Sequence, residues 1–571
     1  MASATQHSTS SHRTTTYLSP LDQYMPRIYV TIYLVFHTPD PSAAIRSLQM
    51  GVEALGDRLP FLRGYITTPS SEPVPVGRDS GDHRGRMAIT WSPADDAPLS
   101  LHRIDDSVTK PAPTFRQLHD EGAPLHYFAN TFPLLLQARI AANPPPASIV
   151  NEGWGATPAF AASYTVLDEG LVVGVAAHHG LVDGTGVAEL VRVWAACTAN
   201  LAGSDSGSQD IFFPDPNEPS LRSDLLRSAL PSFSSSPSSS AETKPLPETL
   251  LSSSREFTLR SSLPAQPQAV DTAAPGGKTT LFTFSVPKLD AARRALSSMS
   301  LSPGNKMKKE TDTALNLDPA SLSANNLLCA IMWTCVARAR ASRRGGDGTL
   351  GLGRSKMGFA INGRRSLGLE SRKTGAKGNG DHDKRASSSR VKPGSGSPYL
   401  GNVNLYGLPE MDGQELVNIG GRCAFPTGKE DSDSNSDSDS GAFEALAPVV
   451  KAIYQAIKRV TPQHIADVVA LVEAVEDVRD VQPNWVRSNG ADLSVTSWAN
   501  MDVYESDFGR GVGKAVYMRV PSFVSDGLLI VLPRKRGGAA EGASWIEVVA
   551  VLCREEIEFL ERDGVWGSWL A

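Results

Sequence analysis

Cysteine is scarce in this chain. Five residues, Cys197, Cys329, Cys335, Cys423 and Cys553, are spread over 571 positions, and no two stand in a CxxC spacing. That spread excludes a disulfide framework and a thiolate zinc site, and no metal ion is expected. Basic excess is also missing: 55 Lys and Arg face 61 Asp and Glu, for a net charge of -6. A nucleic-acid partner, which calls for a basic stripe, is not expected. No apolar run reaches the ~18 residues of a membrane span, so no membrane partner is expected either. The opening MASATQHSTSSHRTTT is polar and has no apolar h-region. It does not read as a secretory signal, and a reduced, cytoplasmic protein is the expectation. No internal repeat at a fixed period is evident.

What is present is an ordinary globular composition, 40% hydrophobic, in a chain long enough for about two to four domains. Residues 1–16 read as a disordered N-terminus. A first unit, 17–202, alternates strand-like and helix-like runs. RIYVTIYLVF reads as a strand. PSAAIRSLQMGVEALGDRLPFLRG carries Ile45, Leu48, Val52 and Leu55 at helical spacing up to Pro60, and Val187, Leu190, Val191 and Trp194 mark a second amphipathic helix. Residues 203–280 are rich in Ser and Pro and read as a largely irregular crossover. A second unit, 281–571, begins with LFTFSV and contains a helix over Asn325–Arg340. Two inserts interrupt it: a basic Gly/Ser-rich stretch at about 369–396 and an acidic one at 428–441. Both read as mobile surface loops. The acidic run has neither the central glycine nor the terminal glutamate of an EF-hand loop. Strands alternating with helices on both sides of the crossover place the chain in the α/β class.

The segment LVVGVAAHHGLVDG, Leu171–Gly184, carries the chemistry. An apolar strand ends on His178 and His179, turns on glycine and opens an amphipathic helix. This sets an imidazole at a sheet edge, where ligands bind. A neutral imidazole can take a proton from a hydroxyl or an amine. Asp183, four residues on, can hold the turn or orient the ring, and Gly180 and Gly184 give the turn backbone freedom. His178, His179 and Asp183 are also possible metal ligands. Adjacent histidines on a strand point to opposite faces, however, which disfavours a shared ion. Near the C-terminus, TSWANMDVYESDFGRG spans Thr496–Gly511. Asp507, Gly509 and Gly511 mark a tight turn ahead of the strand-like AVYMRVP, and the aspartate of such a turn commonly bonds its own backbone. No kinase glycine loop or catalytic loop accompanies this DFG.

HHGLVDG in the first half with DFGRG near the end resembles the BAHD acyltransferase superfamily, with its HxxxD and DFGWG motifs. YLSPLDQYMP (17–26), LPFLRG (59–64), NNLLCAIMWTCVARAR (325–340), INGRR (361–365), YLGN (399–402) and TSW (496–498) are similar to further family segments. The likeness spans about 17–568 without the low-complexity inserts. The inserts and the C-terminal segment look like the fungal branch that includes trichothecene 3-O-acetyltransferases. Two departures stand out: Arg510 replaces the motif's tryptophan, and Leu400 a phenylalanine.

The resemblance implies two chloramphenicol-acetyltransferase-like lobes, each a mixed sheet flanked by helices, with an active-site tunnel between them. It implies transfer of an acyl group, acetyl foremost, from acyl-CoA to an alcohol or amine of a small hydrophobic acceptor of the secondary-metabolite class. His179 would be the general base, with no acyl-enzyme and no permanently bound cofactor. Trp498, Thr496 and Ser497 would be oxyanion donors or tunnel lining. Asp183 would pair with Arg364, or with Arg365 as second choice, in an architectural role. Gly184, Asp507, Gly509 and Gly511 would support the site, His178 would be structural, and the protein would act as a monomer. Two alternatives share the motif: a condensation-type domain taking acyl groups from a carrier protein, and a non-catalytic binding protein on the same fold.

Overall fold

The computed structural model describes residues 13–68, 84–93, 96–104, 113–128, 131–142, 155–201, 213–231, 246–260, 277–301, 322–344, 353–370, 398–426, 437–487, 490–522, 526–535 and 545–571. The basic insert lies almost wholly outside these residues, as does most of the acidic one.

The histidine strand, Gly170–His178, is the central one of five in a mixed sheet. Its order is Tyr517–Arg519, Tyr29–His37, Gly170–His178, Phe160–Leu167 and Leu101–Arg103. Tyr29–His37 pairs with it antiparallel along nine residues, from Tyr29 opposite His178 to His37 opposite Gly170. The apolar run is continuous because neighbours cover both faces of this central strand. Beneath it, helix Pro41–Arg58 crosses helix Gly184–Leu201. Asp40 caps the first of these by accepting from the Ala43 amide, with Pro41 at the first helical position. Gly51 lets the two helices touch, since a methyl there would overlap Thr198 Oγ1.

A seven-stranded sheet organises the second lobe. Its path is Gly277–Ser285, Trp545–Cys553, Leu528–Val531, Leu493–Ser497, Arg354–Asn362 and Asn404–Gly407, with Glu410–Asp412 added on Arg354–Asn362. Leu493–Ser497 is parallel to both of its neighbours. Helix Ala324–Arg343 runs through this lobe's core with Leu327, Leu328, Ile331, Met332, Cys335 and Val336 buried. A smaller antiparallel sheet joins Thr14–Tyr17, Ala88–Trp91, Tyr65–Thr68 and Gly155–Pro158. All this is the α/β class expected.

Three expectations need correction. Thr14–Tyr17 is a strand paired with Ala88–Trp91, so order begins before residue 17. The crossover is not largely irregular where it is described: Glu218–Ala229 is a helix that buries Glu218, Pro219, Arg222 and Leu226, and Phe257–Leu259 pairs with Val481–Pro483. Helix Asp437–Ala445 occupies the end of the acidic insert. Composition misled because a few buried side chains in a polar stretch are enough to dock it.

Candidate active site

The pairing of the central strand carries on just past its end. The His178 amide donates to Ala159 O at 3.0 Å and the His179 amide to Ile28 O at 2.8 Å. The chain then doubles back, with the amides of Leu181 and Val182 both donating to His178 O. Asp183 opens the next helix. Its Oδ1 accepts from the Gly186 amide at 2.9 Å, which satisfies one of the free N–H groups of the first turn. Gly180 and Gly184 have ordinary negative backbone torsions, against the expectation of conformational freedom. Smallness is what they supply. A methyl on Gly180 would come within 2.7 Å of Met87 Sδ, and one on Gly184 would overlap Met501 Cε and lie 3.0 Å from Trp498 Nε1.

Two histidines in one sequence motif have different surroundings. His178 is buried, edge-on to the Tyr29 ring, and its Nδ1 accepts from the Gly180 amide at 3.1 Å. Burial, then the neighbouring His179 and Arg27, lower its pKa to about 3, so it stays neutral. His179 is partly exposed. Burial of its surroundings lowers its pKa too, while its own backbone, Asp183, Asn402 and Asp22 pull the other way. A neutral imidazole at neutral pH follows, which is the state a base requires.

Asp183 is fully buried and faces away into protein. Arg364 grips it through two bonds, Nη1 to Oδ2 at 2.7 Å and Nη2 to Oδ1 at 2.9 Å. The Val403 amide adds a third donor to Oδ2 at 3.2 Å. Arg364 also donates to the carbonyls of Tyr399, Leu400 and Gly401, so one guanidinium ties the His turn to the YLGN loop. Arg365 is exposed. The ligand set His178, His179 and Asp183 is thus divided: two of the three are committed to protein donors.

The TSW segment comes from the second lobe's sheet. Trp498 packs against Gly184 at the start of the helix that follows Asp183, while Ser497 Oγ donates to Asn325 Oδ1 at 2.7 Å. Thr496 is partly buried within its strand. DFGRG sits elsewhere. Asp507 Oδ1 accepts from the Gly509 amide at 2.9 Å, and Gly509 and Gly511 adopt φ of +84° and +94°. Phe508 packs edge-on to Phe36 and Trp194. A methyl on Gly509 would come within 2.8 Å of Ala199 Cα. Ala199 lies about 22 Å along the helix from Gly184 at 1.5 Å per residue. Arg510, in place of the family tryptophan, is exposed.

The residue pattern missed a buried polar chain behind the site. Asp22 accepts from the Asn402 amide and side chain, both at 2.8 Å. Arg222 of the crossover helix donates to Asp22, Glu218 and Leu181 O. Glu218 in turn accepts from the Leu400 and Gly401 amides. SPLDQY and YLGN are legible as segments, but nothing in either indicates that they meet.

A model described as "Transferase family" matches residues 141–387 and 435–565, well over half the chain. The chain belongs to this family, that of the BAHD acyltransferases. A second model, the trichothecene 3-O-acetyltransferase-like N-terminal domain, matches residues 28–197. This BAHD acyltransferase is 27% identical to trichothecene 8-O-acetyltransferase of Fusarium sporotrichioides over 569 residues, 97% of this chain and 98% of the relative. It is 24% identical to the O-acetyltransferase ptmV of Penicillium ochrochloron, over 97% and 96% of the two chains. Its fold matches that of F. sporotrichioides TRI101, crystallised with coenzyme A and T-2, at a TM-score of 0.59. That alignment has 18% identity and covers 97% and 99% of the chains. Among the described residues, no helix is long and apolar enough to cross a membrane.

Proposed function

We propose that this protein transfers an acetyl group from acetyl-CoA to a hydroxyl of a small, hydrophobic secondary metabolite, with His179 as general base. His179 Nε2 takes the proton of the acceptor hydroxyl as its oxygen attacks the thioester carbonyl. The C–S bond breaks, the coenzyme A thiolate leaves, and the imidazolium returns the proton to sulfur. No covalent acyl-enzyme forms. General-base action of this kind is worth roughly 10²–10⁴ in rate, and holding two substrates together adds to it.

The observation that carries this reading is the division of labour in HHGLVDG. Asp183 is locked to Arg364 and His178 is buried and neutral, so His179 is the ionisable member of the motif left partly exposed, five residues before Gly184, against which the second lobe's Trp498 packs. Trp498 Nε1–H and the Thr496 hydroxyl are the proposed oxyanion donors or lining. The Ser497 hydroxyl, held by Asn325, is the weaker of the three candidates. Relatives named for trichothecene and other O-acetyl transfer support the acceptor class and acetyl as the group moved, and the coenzyme A bound to TRI101 supports its thioester as donor. The five cysteines are all free, which supports a reducing, cytoplasmic setting; action as a monomer is part of the same proposal.

The test is a mass-spectrometric screen of hydroxylated terpenoids and polyketides, deoxynivalenol and T-2-type trichothecenes included, with acetyl-CoA. An ester product at +42 Da is expected with at least one acceptor. His179→Ala should lower turnover by roughly 10²–10⁴ with an unchanged circular dichroism spectrum and melting temperature. Near-normal turnover in that variant would remove His179 from the base role.

A further inference from the structure

We propose that Asn402 is a positioning residue for His179: its amide clamps the histidine's own carbonyl and offers an oxygen to ring Nδ1, holding the imidazole as the Nδ1–H tautomer with Nε2 free to accept a proton. The inference rests on the reading of His179 as the base and adds the device that sets its tautomer.

Asn402 is fully buried. Its Nδ2 donates to Asp22 Oδ1 at 2.8 Å, to His179 O at 2.8 Å and to Gly180 O at 3.4 Å. A carboxylate and two carbonyls accept only, so the NH₂ group must face them and Oδ1 must point the other way. Two buried polar atoms are left here without a hydrogen-bond partner among the described residues: Asn402 Oδ1 and His179 Nδ1. One is an acceptor. The other is a donor in one tautomer of the neutral ring. A buried unpaired group costs on the order of 1–3 kcal/mol, and a hydrogen bond from ring Nδ1–H to the amide oxygen would relieve both. The groups that oppose the effect of burial on the His179 ring are first its own backbone, whose carbonyl Asn402 clamps, then Asp183, then the Asn402 side chain.

The amide cannot turn over to serve another purpose. Asp22, which fixes it, is held in turn by the Ser19 amide at 3.0 Å, the Ser19 hydroxyl at 2.7 Å and Arg222 at 3.3 Å. Tautomer matters because Nε2 has a lone pair for the acceptor's proton only when the hydrogen sits on Nδ1. The ionisable groups around the ring are His178, Asp22 and Asp183, the last two paired with Arg222 and Arg364.

The experiment uses the full chain labelled with ¹⁵N-histidine. The His179 resonances are those missing from His179→Ala. At neutral pH the wild-type ring should show a pyrrole-type Nδ1 and a pyridine-type Nε2. Asn402→Ala should show exchange-averaged nitrogens. Its kcat should drop roughly ten- to a hundred-fold. KM for acetyl-CoA should stay within two-fold, and the acid limb of the rate profile should move to lower pH, since a group that raises the His179 pKa is gone. Turnover is read as coenzyme A thiol released from acetyl-CoA, with water or an acceptor from the screen. A pyridine-type Nδ1 in the wild type, or an Asn402→Ala protein with wild-type kcat, pH profile and spectrum, overturns the inference. If Asn402→Ala does not fold, the wild-type spectrum alone decides. Retained turnover in His179→Ala would remove the base reading instead, and the tautomer measurement would still report on Asn402.

Discussion

His178 and His179 are neighbours in sequence with opposite duties, and the difference has a measurable consequence in acid. Folded His178 has a pKa of about 3 against 6.5 in its ordinary state, so between those values the unfolded chain takes up a proton that the folded chain refuses. Its contribution is therefore intact above pH 6.5 and lost as pH falls, by ~1.4 kcal/mol per unit. Moving from pH 7 to pH 5 should remove about 2 kcal/mol more from the wild type than from His178→Gln, read as the unfolding free energy in urea. Asp183 belongs to a different class of effect. Asp183→Ala strips a buried guanidinium of its carboxylate and the helix of its cap. A loss of about 3–5 kcal/mol is expected, with turnover falling alongside. A melting temperature equal to that of the wild type would contradict the architectural role. His179, Asp183 and Arg364 were legible as candidates because they lie in short motifs. The setting of Asn402 was not, because its partner Asp22 is 380 positions away and each alone is an ordinary polar residue in a loop or a short helix.

At the scale of elements, the strands and helices that carry a periodic apolar pattern are where the sequence places them, and the exceptions have a common physical cause. Helix Glu218–Ala229 lies in Ser/Pro-rich sequence and has a weak apolar face. It docks because Arg222, 0% exposed, meets Asp22, Glu218 and the Leu181 carbonyl, a tertiary ion cluster with no local signature. The strand Thr14–Tyr17 is polar and reads as a tail until Ala88–Trp91 is beside it. Glycine roles were also only half visible. In DFGRG the left-handed torsions at Gly509 and Gly511 are what the turn chemistry calls for. At Gly184 the requirement is space for a side chain from the other lobe. Gly184→Ala would drive a methyl into Met501 Cε and against Trp498 Nε1, forcing the TSW loop and the start of the helix apart. The expected cost is about 1–3 kcal/mol of stability, and kcat should fall more than the KM for acetyl-CoA rises. Steady-state kinetics with wild-type values would show that the loop yields without consequence.

For the molecule as a whole, the two lobes are not separable halves of the chain. The seven-stranded sheet is shared between two cores. Along Trp545–Cys553, Ile546, Val548, Ala550 and Leu552 face the core built on helix Ala324–Arg343, while Val549 and Val551 join the core of the first lobe. Period-two alternation thus divides one strand between both lobes. The strand Tyr517–Arg519, from the second half, completes the edge of the first lobe's sheet beside Tyr29–His37. Arg519 pins the junction. It is fully buried, donates to the carbonyls of Gly122 and Ala123 in the first lobe, and forms two bonds with Glu547 of the shared sheet at 3.0 and 2.9 Å. The boundary at 280 drawn from composition therefore marks a crossover and not the end of a self-sufficient unit. Arg519→Ala leaves two carbonyls and a partly exposed carboxylate without their donor, a loss of about 2–4 kcal/mol. Because apolar contacts across the shared sheet remain, heat should still unfold the variant in one calorimetric transition at a lower temperature. Two resolved transitions, one per lobe, would show instead that Arg519 alone couples them and that the shared sheet does not.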